Sequence, residues 1–312
     1  MEVPTRVLEL LRCPFDRAEL VAQTGGGLSC PSCGRRFEVG ADGIPLMLHA
    51  DLPGAAVKLR EAAAWPEKAR AEGWYEPDDA VDAVLPFVNR ELGWDDTNWR
   101  ANAHSFEVLL GRYVGELRGL RVLEVGAAKA WAARFWFERD CEFVATDILV
   151  DPKMGLGRGA FYGDFIRVQA DGEHLPFADE TFDVVYCIAT LHHALDLGRM
   201  VRELARVARP GAIVAGLNEG VRGVGRSPDN PDQAGEKELG INEHVHSIWT
   251  YALVFTRAGL VMRRIERADG WPPVPYGGVL SHIPKVGTTL GVLVHASAAH
   301  YIGVSLYARK PR

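Results

Sequence analysis

Apolar and polar positions follow two rhythms along this chain, and the change of rhythm divides it. From residue 121 onward, short apolar runs alternate with stretches of helical period. Residues 122–125, 143–147, 165–170, 182–188 and 212–217 predict five strands, and 260–266 and 301–308 two more. Residues 128–139, 200–208 and 248–258 carry helical spacing, the second stopped by Pro210-Gly211 and the third by Gly259. Strand alternating with helix predicts a parallel sheet covered on both faces. Residues 57–72, 79–92 and 99–117 predict three helices ahead of that sheet. Earlier still, from about residue 8 to 48, tight turns and short strand-like pieces at 36–39 and 44–48 surround the Gly25-Gly-Gly27 hairpin signal. The expected division is a β-rich unit over 1–50, a helical lead-in over 51–118 and an α/β domain over 119–312. Two Gly- and Pro-rich insertions are expected in that domain, at 219–243 and 269–300.

The sheet's first strand holds an anomaly. Glu124 sits inside an apolar run that ends at Gly126, and an isolated buried carboxylate costs several kcal/mol unless it is paired. About twenty residues on, the second strand ends in Asp147, where an acid can accept hydrogen bonds from ribose hydroxyls. A dinucleotide supplies no obvious cation for Glu124, whereas S-adenosylmethionine carries an ammonium and a sulfonium. Val122-Leu-Glu-Val-Gly126 resembles the first motif of class I S-adenosylmethionine-dependent methyltransferases, with Ala128 in place of the second glycine. Asp171-Gly-Glu-His-Leu-Pro-Phe177, Thr181-Phe-Asp-Val-Val-Tyr186, Leu191-His-His193 and Arg206-Val-Ala-Arg-Pro-Gly211 resemble that family's later motifs, in order. The resemblance implies a Rossmann-like sheet of seven strands, mostly parallel, with the last antiparallel. It implies S-adenosylmethionine as cofactor, held by Glu124, Gly126, Ala128, Asp147, Asp171, Gly172 and Ile188. Backbone amides at 126–128, ahead of the next helix, are expected to receive the cofactor's carboxylate.

Length and composition narrow the setting. The 312 residues are 47% apolar, enough for a sizeable core, and no apolar run approaches the roughly 18–20 residues of a membrane span. Met-Glu-Val-Pro-Thr-Arg is no secretory signal, and the expected location is the cytoplasm. A net charge of −6 disfavours a broad phosphate-binding face. Three of the five cysteines precede residue 34, which suits a metal site better than a disulfide framework. Cys13-Pro-Phe-Asp16 and Cys30-Pro-Ser-Cys33 form paired turns that resemble the zinc-ribbon domains of methyltransferase activator subunits and of some rRNA methyltransferases, including the Asp42-Gly-Ile-Pro-Leu ending. The resemblance implies Cys13, Asp16, Cys30 and Cys33 as zinc ligands. Asp16 replaces the family's cysteine, so a metal-free ribbon is the alternative.

The acceptor side rests on histidines. His192 and His193 follow the fourth strand, and either ring is a candidate base for a hydroxyl acceptor. Asn242-Glu-His-Val-His246 is a second cluster, whose Glu243, His244 and His246 suit a divalent metal or an acceptor site. The 219–243 insertion is expected to form a lid that places His244 over the methyl group, with His193, Glu219 and Glu243 completing the site. Trp99 and Phe106 either pack the lead-in helices on the core or line the pocket. The function expected is methyl transfer to a small molecule or glycoconjugate, at oxygen. Two alternatives stand beside it: an rRNA or tRNA base methyltransferase gripping RNA through Arg12, Arg17, Arg35 and Arg36, and an inactive cofactor-binding partner protein. Oligomeric state is not legible.

Overall fold

The structure is a computed structural model that describes residues 3–230, 233–270, 284–298 and 301–312. The N-terminal unit holds α1 (Thr5–Leu10), the hairpin β1 (Val21–Ala22) and β2 (Leu28–Ser29), then β3 (Arg36–Val39) and β4 (Pro45–Leu46). The lead-in comprises α2 (Ala55–Glu72), α3 (Asp79–Asp82), α4 (Val88–Glu91) and α5 (Thr97–Val108), which widens into a further turn to Val114. The single helix expected over 79–92 is broken in two. Pro86 has no N–H to give and biases Leu85 away from helix, so α3 and α4 stay one turn each.

The α/β part runs β5 (Arg121–Val125), α6 (Ala133–Phe137), β6 (Glu142–Asp147), β7 (Ile166–Gln169), β8 (Phe182–Ile188), α7 (Leu197–Val207) and β9 (Ala208–Arg222). It continues through α8 (Ala234–Glu238), β10 (His246–Ser247), α9 (Ile248–Arg257), β11 (Val261–Arg267), α10 (Pro284–Ala298) and β12 (Tyr301–Arg309). The seven principal strands are ordered β7-β6-β5-β8-β9-β12-β11. β5 through β9 pair in parallel, and β12 enters antiparallel between β9 and β11. Alternate side chains of the strands feed two apolar layers. Leu123, Val125 and Val185 join one with α7 and α9, while Val122, Val184 and Tyr186 join the other with α5 and α6.

Two boundaries depart from expectation. β9 is 15 residues long and continues to Arg222, so Glu219 is a buried strand residue and the insertion starts after it. Residues 284–298, inside the stretch expected as insertion, are helical; 271–283 of that stretch lie outside the described residues. The N-terminal unit is also no separate bead. β4 pairs in parallel with β7 through Leu46 and Gln169, Leu11 bridges to Phe177, and Leu11, Leu20, Leu28 and Phe37 share one core with Leu175 and Phe177.

Candidate active site

The carboxyl ends of β5, β6, β7 and β8 open into a cavity of about 800 Å³, walled opposite by α2, α3 and the entry to α5. This is the edge where ligands enter open α/β sheets. The turn after β5 forms its floor. Gly126 has φ of 73°, and a Cβ there would stand 2.3 Å from Thr190 Cγ2, so only glycine fits. Ala128 and Ala130 are left-handed too, at 45° and 57°, and the helix expected from residue 128 begins only at Ala133. Five residues make no helix dipole of consequence, and the amides expected to receive a carboxylate are engaged within the chain: Gly126 and Ala127 donate to the Thr146 carbonyl at 2.8 and 3.0 Å and Ala128 to Asp147.

The reason lies in Asp147, half-buried at the tip of β6. Its Oδ2 accepts from the Ala128 N–H at 2.7 Å and its Oδ1 from the Leu149 N–H at 2.8 Å, which draws the turn across the strand ends. Burial raises its pKa, and the two amides pull against that rise. An ionised carboxylate accepts about four hydrogen bonds, so two amides leave capacity for hydroxyls. Asp171, 3% exposed, is held by the Glu173 N–H at 3.0 Å and faces His174 Nδ1 at 3.0 Å. At Gly172 a Cβ would meet Met200 Cε at 2.8 Å. Gly126, Ala128, Asp147, Asp171, Gly172 and Ile188 all line the cavity. Glu124 stands behind its wall, 2% exposed, with Oε2 unpartnered. Burial pushes that carboxyl up to about 8, opposed by the adjoining Tyr186 hydroxyl, which accepts from Trp136 Nε1 at 3.0 Å.

The opposite wall is aromatic. Trp65, Trp74, Trp94, Trp99 and Trp131 line it, with Trp99 edge-on to Trp131. Phe106 belongs to the core instead, fully buried against Trp131, Phe135 and Trp136. Lys129, from the turn after β5, and Arg158 both pair with the fully buried Asp82, which ties α3 to the sheet.

Beyond β8 the chain turns through Leu191–His193, and Glu219 on β9 accepts from the Thr190 and Leu191 amides at 2.9 and 3.0 Å. The other oxygen of Glu219 holds His192 Nδ1 at 2.9 Å. His193 Nδ1 faces two acceptors, Glu61 Oε1 at 2.9 Å and the Asn242 carbonyl at 2.8 Å, so it carries the hydrogen. Desolvation lowers the His193 pKa, but Glu61 and Glu243 outweigh it and the ring is pushed up to about 9. Both Nε2 atoms face Glu243, at 3.6 Å for His192 and 3.8 Å for His193. His193 lines the cavity. His244 does not stand over the cavity as the sequence suggested; it is exposed, its N–H bonds the His192 carbonyl, and its ring is 6.3 Å from that of His246. Alternation along the extended segment turns Glu243 inward and His244 outward. The cluster expected from Glu243, His244 and His246 is therefore replaced by His192, His193 and Glu243.

Sequence reasoning missed Glu61, Lys58 and Trp65, all on α2. Glu61 is 1% exposed, and the Lys58 ammonium, 5% exposed, bonds the His193 carbonyl. Their i,i+3 spacing in a charged helix reads as a solvated face, and only tertiary packing turns it inward.

In the N-terminal unit Cys13, Asp16, Cys30 and Cys33 converge, with every ligand atom within 4.8 Å of the others. Cys13 Sγ is 3.6 Å from Cys33 Sγ, and Cys30 Sγ is 3.5 Å from Asp16 Oδ1. Asp16 is held down at about 2, chiefly by the Ala18 amide, so it stays ionised and fits a zinc ion as the fourth ligand. Four of the unit's five arginines are engaged within the chain: Arg6 with Asp164, Arg12 with Glu19, Arg17 with Glu203, and Arg35 with Asp51.

Residues 123–216 match a methyltransferase domain, and residues 5–39 match Trm112p-like proteins. Among curated proteins, malonyl-[acyl-carrier protein] O-methyltransferase of Pseudescherichia vulneris is 31% identical over 43% of this chain and 52% of its own length. Demethylmenaquinone methyltransferase of Corynebacterium urealyticum is 34% identical over 44% and 55%. The 27-O-demethylrifamycin SV methyltransferase of Amycolatopsis mediterranei is 46% identical over 15% and 17%. The chain spans about half the length of the first two. Among solved structures, a chain from a complex of the Haloferax volcanii Trm112 methyltransferase activator superposes with a TM-score of 0.51. It covers 81% of this chain and 98% of that one at 18% identity, a likeness of fold.

Proposed function

We propose that this protein, which joins a Trm112p-like segment to a methyltransferase domain, uses S-adenosylmethionine to methylate a hydroxyl oxygen of a small, largely apolar acceptor. The observation that carries this reading is one cavity lined both by acids suited to an adenosine, Asp147 and Asp171, and by His193 and Glu61, with Glu243 behind the His193 ring. Gly126 and Gly172 line the cavity where a Cβ would collide with Thr190 and Met200, and the unpartnered Glu124 Oε2 stands behind that wall. Asp147 would then hold the ribose hydroxyls, and Asp171, Gly172 and Ile188 the adenine.

The cofactor supplies a sulfonium methyl; its transfer to a hydroxyl oxygen leaves sulfur as a thioether and releases the hydroxyl proton. The chain's task is alignment, exclusion of water and receipt of that proton. A charged His193 ring cannot accept it, so the carboxylates of Glu61 and Glu243 are the acceptors and the ring positions them. The tryptophan wall supports a flat apolar acceptor over a polyanion, and the engaged ribbon arginines weigh against RNA. The printed activities of the relatives, on acyl carrier, quinone and rifamycin substrates, are consistent with this class.

The test offers methyl-labelled S-adenosylmethionine with hydroxylated small molecules or with total RNA. Label is expected as an ether in the small-molecule fraction. Glu61→Gln is expected to lower turnover by about 10²–10⁴ while leaving cofactor affinity within about threefold, or about 0.7 kcal/mol. Label confined to RNA, binding it with a steep salt dependence, would overturn the reading.

A further inference from the structure

We propose that His192, His193 and Glu243 form a binding site for one divalent transition-metal ion at the edge of the cavity, separate from the cysteine cluster. His192 Nδ1 is held by Glu219 at 2.9 Å and His193 Nδ1 by Glu61 at 2.9 Å. Each ring donates its Nδ1 hydrogen to a carboxylate, which aims Nε2 toward Glu243, and an ion bound there displaces the Nε2 proton of a charged ring. Carboxylates that orient histidines in this way are the usual supports behind metal-ligating rings. The Nε2–Glu243 separations, 3.6 and 3.8 Å, are too long for hydrogen bonds. They are close to the spacing of neighbouring ligands on a shared ion, about 3.0–3.4 Å for bonds near 2.1 Å.

Two further observations point the same way. Gln233 Nε2 donates to Glu243 Oε2 at 2.6 Å, so the third ligand is itself oriented. Glu61, Glu219 and Glu243 are 1%, 0% and 5% exposed, and Glu61 Oε2 has no hydrogen-bond partner although Lys58 lies 3.9 Å away. Buried carboxylate in excess over one ammonium favours a cation. Two imidazoles and one carboxylate suit manganese, iron, cobalt, nickel or zinc over magnesium or calcium, and leave coordination positions open. His193 belongs to the cavity wall, so those positions suit an acceptor's oxygen. That last role rests on the proposed function; the binding of the ion does not.

The experiment uses the full chain without cofactor. Mn²⁺ added to the wild type is followed by electron paramagnetic resonance, with pulsed detection of coupled nitrogens. Co²⁺ is followed by absorption, because thiolate ligation at the cysteines gives an intense charge-transfer band and an imidazole–carboxylate site does not. The expected result is one bound Mn²⁺ coupled to two imidazole nitrogens and a Co²⁺ site without that band. Glu243→Gln should weaken it at least tenfold, and Cys33→Ser should leave it intact. The wild-type spectrum decides the matter even where a variant misfolds. No binding at about 1 mM Mn²⁺ (about 4 kcal/mol of affinity), binding without nitrogen coupling, or loss of all metal in a folded Cys33→Ser variant would overturn the proposal. Calorimetry with S-adenosylmethionine is independent of each of these outcomes.

Discussion

At the scale of single residues, the consequential positions are carboxylates whose surroundings decide their charge. Glu124 is the clearest, since burial holds its carboxyl at about 8 against an ordinary 4.5. A folded-state pKa raised above the unfolded one gives stability that is complete below the unfolded value and is lost as pH rises through the folded one. Between pH 4.5 and 8 each step of one pH unit therefore removes up to about 1.4 kcal/mol. Glu124→Gln is expected to flatten that slope. Thermal denaturation of both proteins from pH 5 to 8 measures it, and parallel curves would refute the assigned charge. The acids at 147 and 171 were legible in the sequence because strand ends in a parallel sheet share one edge, so topology alone brings them together. Glu61 was not legible: it stands well over a hundred residues before the ring it holds, and nothing local separates it from a solvated helix position.

At the scale of elements, the strands were read closely and the connections less well. Apolar runs with a β-branched bias define β5 through β8 with little ambiguity, and α9 ends one residue before its expected limit. The helix after β5 fails because Asp147, a tertiary partner, recruits the Ala128 amide, and two left-handed alanines override good helix propensity. β9 overruns its expected end because β12 pairs with it as far as Arg222. The N-terminal unit combines a metal-ligand cluster with a core continuous with the sheet. Removal of zinc with a chelator is accordingly expected to speed amide exchange in the turns at Cys13–Arg17 and Cys30–Arg35, while β3 and β4 stay protected. Elemental analysis with hydrogen exchange tests this. Uniform loss of protection across residues 5–48 would mean that the metal, and not the shared core, holds the unit on the sheet.

At the scale of the whole molecule, the segment that matches Trm112p-like proteins and the segment that matches a methyltransferase domain share one sheet, with β4 extending the edge at β7. Seven strands with an antiparallel last one were implied by the family resemblance that the ordered motifs carry. The docking of the ribbon was not, because the apolar face it covers is spread over Leu175, Phe177 and α1, with no periodic signature. No described helix is long and apolar enough to cross a membrane. The helical lead-in, whose Trp99 and Phe106 were expected either to pack on the core or to line the pocket, becomes the second wall of the cavity and supplies most of its tryptophans. The central claim is that this cavity is built for S-adenosylmethionine, and titration calorimetry on the purified chain tests it most directly. The account predicts one site of micromolar affinity for S-adenosylmethionine and for S-adenosylhomocysteine, weakened by about 1–3 kcal/mol in Asp147→Ala through loss of charge-assisted hydrogen bonds. Absence of heat and of any thermal shift with both ligands in the wild type would contradict it.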